Sequence, residues 1–119
     1  MLKGTHLIAG EWVGGTNTFI NEPTSGEADT FAAGAAEHVD RAVQAAEEAF
    51  WSYGYSTRAE RATFLRKIAE EVNARGAEIT AMGVKETGLP DARLEGERGR
   101  TTGQFLLFAD HIEAGDYLD

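Results

Sequence analysis

The sequence predicts a short β-ribbon over about residues 5–32, followed by four α-helices. Up to residue 32, short runs rich in apolar residues are separated by glycines and turn residues, as is typical of strands joined by turns. From residue 36 onward the apolar residues recur every three or four positions, which is the period of an amphipathic helix. The predicted helices cover about residues 36–53, 57–75, 77–87 and 91–114.

The ribbon begins with a predicted hairpin around Gly10, with extended segments at residues 6–9 and 11–13. Residues 18–21 predict another strand, which Pro23 and the following turn would end. Residues 30–32 predict one more short extended piece. Such ribbons are not stable alone in water, so we expect them to pack on the helices or on further chain.

Local signals mark most of the helix ends. The first helix has no Ser, Thr, Asp or Asn at its expected start, whereas Thr57 and Glu60 form a capping box for the second. Gly76 is predicted to end the second helix, Gly88 with Pro90 the third, and Asp91 can cap the fourth.

Each helix also carries an apolar stripe. The stripes of the first three helices are Val39, Ala42, Val43, Ala46, Ala49 and Phe50; Phe64, Leu65, Ile68, Ala69 and Val72; and Ile79 and Met82, with Val84 as a further candidate. The fourth helix is predicted to bury Leu94, Thr101, Phe105, Phe108 and Ile112.

Three glycines inside the predicted fourth helix, Gly96, Gly99 and Gly103, need a physical reason. A glycine in a helix interior costs about 1 kcal/mol relative to alanine. Spacings of three and four residues place all three on one side of the helix. A bare backbone there would allow close approach of another helix or of a ligand, and Arg100 lies on or beside this stripe.

Composition excludes several classes of function. A chain of 119 residues suits one domain, and its net charge of −9 argues against a nucleic-acid binder and against docking on an anionic membrane. It has no apolar run of membrane-spanning length and no secretory signal, so a cytoplasmic location is predicted. Without cysteine there is no thiolate nucleophile, and His6, His38 and His111 show no metal-ligand spacing. We predict no metal site and read each histidine as a surface or half-buried side chain.

Several motifs, taken in order, resemble the opening of an aldehyde dehydrogenase. They are IAGEWV (8–13), EPTSGE (22–27), VDRAV (39–43) and ETGLP (86–90). Within that family, residues 86–108 most resemble the 2,5-dioxovalerate dehydrogenases, mainly through ARLEGERGRT (92–101). The resemblance covers essentially the whole chain.

The resemblance implies an α/β protein with a three-layer architecture and a Rossmann-like sheet, considerably longer than this chain. Such enzymes bind NAD or NADP, use a cysteine nucleophile and a glutamate base, and act as homodimers or homotetramers on small aldehydes. By similarity these catalytic and cofactor-binding parts lie beyond Asp119, so no catalytic or cofactor-binding residue is expected in this chain. Residues 1–119 would be the N-terminal part of the cofactor-binding domain, inactive alone and with apolar surface left uncovered.

The resemblance also places the fourth helix along the tunnel through which the aldehyde enters, at Gly96, Arg100 and Gln104. We hypothesise that Arg100 binds the distal carboxylate of a semialdehyde acid, because its planar fork can hold a carboxylate through two hydrogen bonds. Arg93 and Arg98 are weaker candidates, since Arg93 can pair with Glu97 one turn away. The alternative is that Arg100 pairs with a nearby Glu and the glycines serve close helix packing.

Two functions follow for the protein. The first is the N-terminal portion of an NAD(P)-dependent dehydrogenase that oxidises an aldehyde to an acid, with 2,5-dioxovalerate converted to 2-oxoglutarate. The alternative is a stand-alone helical interaction module that shares this architecture but catalyses nothing. Only the first needs a nucleophile supplied by further chain.

Overall fold

A computed structural model describes residues 3–118, and its element order is the predicted one, a β-ribbon followed by four helices. The strands are β1 (His6–Ile8), β2 (Glu11–Val13), β3 (Thr18–Ile20) and β4 (Thr30–Ala32). The helices are α1 (Ala36–Tyr53), α2 (Arg58–Ala74), α3 (Gly76–Thr87) and α4 (Asp91–Ala114). The chain forms two units, the first ending at Tyr55 and the second beginning at Ser56.

The ribbon of the first unit consists of two separate two-stranded sheets. β1 and β2 form the predicted antiparallel hairpin, whose turn residues Ala9 and Gly10 have φ of 53° and 80°. Positive φ at both central positions is the type I′ geometry, which matches the twist of paired strands. β3 and β4 form the second antiparallel pair, in which the rings of Phe19 and Phe31 stack with centroids 5.6 Å apart.

α1 begins without a conventional cap, as predicted, and a histidine supplies part of what is missing. The amide of the N-cap residue Ala35 donates a hydrogen bond to Nδ1 of His38 at 3.1 Å. This is the role that a Glu or Gln side chain plays in a capping box. The ring of His38 also lies beside that of His6 in β1, with centroids 5.0 Å apart. These two histidines, distant in sequence, are therefore neighbours in the first unit.

The apolar stripe of α1 is exposed in the part of the chain that the structure describes. No residue of α1 is buried, and Val39, Val43 and Phe50 are 61%, 63% and 60% exposed. This is uncovered apolar surface of the kind expected for a segment whose packing partners lie elsewhere. Such faces mark surfaces that another polypeptide covers.

α2 begins at the predicted capping box, which is confirmed. The Glu60 amide donates to Oγ1 of Thr57 at 3.2 Å, and the Thr57 amide donates to Oε2 of Glu60 at 2.6 Å. The hydrogen bonds from the Thr57 amide and, secondly, from its hydroxyl lower the pKa of the Glu60 carboxyl below its ordinary value. The hydrogen bonds at the start of α2 therefore favour the ionised form of the Glu60 carboxyl.

Thr57→Ala is expected to lower the free energy of unfolding by about 1 kcal/mol at neutral pH, because the Glu60 amide loses its acceptor. The carboxylate's share of the stabilisation is fully present above the ordinary pKa of 4.5 and is lost as the pH falls through the lowered folded-state value. The difference in Tm between Thr57→Ala and the parent should therefore shrink in acid. Thr63→Ala, at an exposed position in the middle of α2, is the matched control and should leave Tm unchanged or slightly raised. A control as destabilised as Thr57→Ala would contradict the cap.

α2 and α4 pack against each other through small residues. Ala62 and Ala69 of α2 are 0% and 2% exposed, and Thr102 and Ala109 of α4 are 5% and 0% exposed. Within each pair the residues are seven positions apart, which keeps them on one side of their helix. Small side chains along a contact let two helix axes approach closely. Outside this seam, Arg66 of α2 forms ion pairs with Asp110 and Glu113 of α4.

The predicted interior of α4 is partly wrong. Thr101 and Phe108 are exposed, while Leu94, Phe105 and Ile112 are only half-buried. The buried positions are their neighbours Thr102 and Ala109. Hydropathy favoured the large apolar side chains, but the close approach of α2 selects small ones.

Two predicted helix ends also need correction. Gly76 does not end α2: the helix stops at Ala74, Arg75 separates the two helices, and Gly76 is the buried first residue of α3. Asp91 is the first residue of α4 and not its cap, because the extended Pro90 holds the N-cap position. The predicted end of α3 is confirmed, since Gly88 closes it in the left-handed conformation with φ of 70°.

Candidate functional site

An open groove of about 690 Å³ runs along α4 in the second unit. Its lining residues are Leu65, Glu97, Arg100, Thr101, Gln104, Phe105, Phe108 and Ile112. All except Leu65 come from α4 and recur at spacings of one, three or four residues, which places them on one face of that helix. The groove is therefore formed mainly by a single helix face, with α2 at its side.

Polar and apolar groups occupy different parts of this face. Arg100 and Gln104, one helical turn apart, lie toward the N-terminal end, and Phe108 and Ile112 lie toward the C-terminal end. At 1.5 Å per residue, the distance along the axis from position 100 to position 112 is about 18 Å. Such a surface suits a small molecule with a carbon chain and one anionic end.

Arg100 has no ion pair or side-chain hydrogen bond with any residue between 3 and 118. The nearest arginines on α4 differ in this respect. Arg93 pairs with Glu97, as predicted, and Arg98 donates hydrogen bonds to the carbonyl of Gly76 and to the hydroxyl of Thr80. The alternative in which Arg100 pairs with a nearby Glu is therefore not what the described part of the chain shows.

The Arg93–Glu97 pair matters for the charge of the groove. Glu97 lines the groove three residues before Arg100, at a distance along the helix where it could neutralise that guanidinium. Its carboxylate instead lies 2.5 Å from a guanidinium nitrogen of Arg93. Arg100 consequently presents a positive charge and free donors on the groove side of α4.

The glycine stripe of α4 faces open space. A Cβ atom placed on Gly96, Gly99 or Gly103 would meet no atom within 4 Å in the described residues. The glycines that do permit close helix packing are Gly76 and Gly83 of α3, where a Cβ would come within 2.9 Å of Arg98 and of Leu94 respectively. The helix-packing explanation thus applies to α3 and not, within residues 3–118, to the α4 stripe.

The structure brings Arg100 and Gln104 together in one groove but leaves Gly96 outside its lining. Gly96 lies one turn before Arg100 on the same side of α4, and a Cβ placed there would meet no described atom within 4 Å. Sequence reasoning missed the role of Phe105, Phe108 and Ile112, which it assigned to the core. Their spacing from Arg100 already indicated a shared face.

A second concave surface of the second unit, of about 330 Å³, lies between α2 and α3. Its lining is apolar, chiefly Phe64, Ile68, Val72 and Ile79. The charged residues at its rim bind one another: Arg75 and, secondly, Lys67 lower the pKa of the Glu71 carboxyl by hydrogen bonding to it. Because the described charges of this surface are paired with one another, the groove along α4 is the better candidate.

Neither a metal site nor a cofactor loop is formed by the described residues. Between residues 3 and 118 no group of three His, Asp or Glu side chains could hold a metal ion, and none of the four helices combines the length and the hydropathy that a membrane span requires. Residues 96–103 do not have the glycine spacing of a dinucleotide fingerprint, and α4 follows α3 through residues 88–90, which form no strand. What this segment offers chemically is a binding surface.

Comparison with known proteins identifies the family. The chain matches the sequence profile of the aldehyde dehydrogenase family over residues 12–117. It is 42% identical over 122 residues to α-ketoglutaric semialdehyde dehydrogenase 2 of Azospirillum brasilense, covering 98% of this chain and 23% of that protein. It is 44% identical over 81 residues to α-ketoglutaric semialdehyde dehydrogenase of Acinetobacter baylyi, covering 68% of this chain and 15% of that protein. Dehydrogenases named for other semialdehydes match at lower identity.

The fold agrees with this result. The structure superposes on an NAD-dependent benzaldehyde dehydrogenase from Corynebacterium glutamicum with a TM-score of 0.85, at 23% identity, covering 94% of this chain and 26% of that one. The segment therefore has the architecture of the corresponding part of an α/β enzyme, as predicted. It spans about a quarter of the length of that structure and of its Azospirillum relative. The chain belongs to the aldehyde dehydrogenase family.

Proposed function

We propose that this chain is the N-terminal part of the cofactor-binding domain of an NAD(P)-dependent aldehyde dehydrogenase that oxidises 2,5-dioxovalerate to 2-oxoglutarate. 2,5-Dioxovalerate is α-ketoglutaric semialdehyde, the compound for which the relatives at 42% and 44% identity are named. Its aldehyde reacts at one end while a carboxylate remains at the other. The whole protein would be a cytoplasmic homodimer or homotetramer.

The observation that carries the proposal is Arg100 on the groove side of α4, which has no ion-pair partner within residues 3–118. A guanidinium that no described carboxylate pairs with, one helical turn from the amide of Gln104 and beside an apolar wall, has the chemistry needed to hold the distal end of an acidic aldehyde. Gly96, Arg100 and Gln104 would form one wall of the substrate passage. Their part is to bind and orient the substrate so that its aldehyde carbon reaches the reacting groups.

The reacting groups themselves would come from the rest of the protein. Nicotinamide, when bound, supplies the hydride acceptor, and a cysteine thiolate supplies the nucleophile; neither a dinucleotide fingerprint nor a cysteine is present in this segment. The segment alone would be inactive. The exposed face of α1 supports this view, because a free-standing interaction module would need its own closed core.

Substrate selectivity of the complete protein tests the function. With NAD and NADP supplied in turn, kcat/KM should be measured for 2,5-dioxovalerate, for 5-oxopentanoate, which lacks the 2-oxo group, and for pentanal, which lacks the carboxylate as well. We expect both acids to exceed pentanal by about tenfold or more, the value of one charge-assisted hydrogen bond. Equal values for pentanal and the acids would contradict the assignment. A reading frame that lacks a cysteine nucleophile downstream of Asp119 would instead favour the interaction module.

A further inference from the structure

We propose that Arg98 is a positioning residue: its guanidinium clamps α4 to the first turn of α3, and this contact sets the rotation of α4 that turns Arg100 and Gln104 toward the groove. The inference rests on the proposed function, because it assigns Arg98 to the same substrate passage. Arg98 itself is not among the residues that line the groove.

The contact between Arg98 and α3 consists of two hydrogen bonds to buried residues. Nη1 of Arg98 donates to the carbonyl of Gly76 at 2.9 Å and to Oγ1 of Thr80 at 2.6 Å. Gly76 and Thr80 are buried and Arg98 is half-buried, whereas the ion pair of Arg93 on the same helix is exposed. Arg98 has no carboxylate partner between residues 3 and 118, so two neutral acceptors on α3 hold its charge.

The backbone of α3 is shaped to receive this arginine. A Cβ at position 76 would lie 2.9 Å from Cζ of Arg98, so a side chain there would have to displace the guanidinium from its present position. Seven residues further along α3, a Cβ at Gly83 would lie 2.9 Å from Cδ1 of Leu94, so this glycine also lets a side chain of α4 come close. Two glycines on α3, seven residues apart, therefore face two α4 side chains four residues apart, which fixes the register of the two helices.

The position of Arg98 explains why the anchor controls Arg100. Successive residues of an α-helix are rotated by about 100°, so Arg98 and Arg100 point in nearly opposite directions. The hydrogen bonds that hold residue 98 against α3 therefore determine the direction in which the side chain of residue 100 points.

The stretch around Arg98 also needs support. Gly96, Gly99 and Gly103 favour the helix poorly and present no side chain to pack. Between Gly96 and Gly99, Arg98 is the side chain that ties the helix to another element, and Thr102 packs the following turn on the α2 side. Without Arg98, the turn that carries Arg100 would lose its contact with α3.

Arg98→Ala in the complete enzyme should raise KM for 2,5-dioxovalerate by about tenfold while kcat changes little, because displacement of the binding arginine weakens the hold on the distal carboxylate equally in the ground state and the transition state. KM for pentanal should stay unchanged. Hydrogen exchange of the amides at residues 96–104 should become faster.

Two further variants serve as comparisons. Arg98→Lys keeps the charge and one donor, so its KM and its exchange rates should lie between those of the parent and of Arg98→Ala. Arg41→Ala, which removes only the exposed ion pair with Glu11, is the matched arginine control and should change neither.

Thr80→Val provides a milder variant if Arg98→Ala does not fold, since it removes one acceptor and keeps the shape; it should show the same changes to a smaller degree. Faster exchange without any change in KM would show a purely structural role and overturn the proposal, as would unchanged exchange. Failure of the proposed function has a different signature. In that case the parent enzyme would not distinguish acids from pentanal, while exchange at residues 96–104 would still report whether Arg98 holds α4.

Discussion

Arg100→Ala in the complete enzyme is expected to lower kcat/KM for 2,5-dioxovalerate by about 10- to 100-fold and to leave kcat/KM for pentanal within about twofold. A hydrogen bond to a charged group contributes about 1.5–3 kcal/mol, and each 1.4 kcal/mol is a factor of ten. Because Arg100 has no partner within residues 3–118, its loss removes a ligand contact without leaving a buried carboxylate unpaired. Steady-state rates of nicotinamide reduction with the two aldehydes measure the effect.

Arg100→Lys separates charge from geometry. Lysine keeps the positive charge but lacks the planar fork that binds both carboxylate oxygens, so its selectivity should fall between arginine and alanine. If Arg100→Ala lowers kcat/KM equally for the acid and for pentanal, Arg100 supports the helix and does not recognise the carboxylate. The comparison within one variant makes the result independent of how much active enzyme each preparation contains.

The second large effect is expected at the seam between α2 and α4. Ala109→Leu should lower the free energy of unfolding by about 1–3 kcal/mol, because the seam has no room for extra carbon atoms and must shift to accept them. Ala109 of α4 and Ala62 of α2 are both 0% exposed, so extra carbon atoms at position 109 cannot be accommodated in solvent. The measurement is the shift in Tm relative to the parent protein.

Ala114→Leu is the matched control for that experiment. It makes the same substitution on the same helix at an exposed position, and we expect a change in stability within about 0.5 kcal/mol. If Ala109→Leu were equally neutral, α2 and α4 would have to be farther apart than the structure shows. A loss at both positions would point to the propensity of the helix and not to the seam.

The proposed enzyme explains why apolar side chains of α1 are exposed in this segment. Val39, Val43 and Phe50 of α1 form a face that no described residue buries, and the unit that contains it has only small two-stranded sheets beside the helix. In the proposal, other parts of the enzyme cover this face. The charged residues on the opposite side of α1 remain in water, as in any amphipathic helix that packs on a larger body.

Much of the local structure could be predicted because its causes are local. The hairpin at Gly10, the capping box from Thr57 to Glu60 and the left-handed stop at Gly88 each depend on the chemistry of a few consecutive residues. Their geometry does not require knowledge of a distant neighbour. The two helix ends that were predicted wrongly, at Gly76 and Asp91, are also local signals, but other residues compete for the same role there.

The candidate site could likewise be predicted only as far as it depends on local spacing within α4. Period and spacing placed Arg100 and Gln104 on one face of a helix, and the family resemblance proposed a substrate for that face. Spacing could not tell which arginine of α4 would be free. Arg93, Arg98 and Arg100 are similar in sequence context, yet one pairs along the helix, one binds α3 and one faces the groove.

The sequence by itself therefore determined the order of the elements, most of their ends and the residues that share each helix face. Only the tertiary structure decided which element lies against each face. It showed that α4 buries Ala109 and leaves Phe108 exposed, and that Gly76, not Gly96, receives a neighbouring side chain. The physical reason is that helical periodicity relates residues within a few turns, whereas packing depends on shapes contributed by residues far apart in the chain.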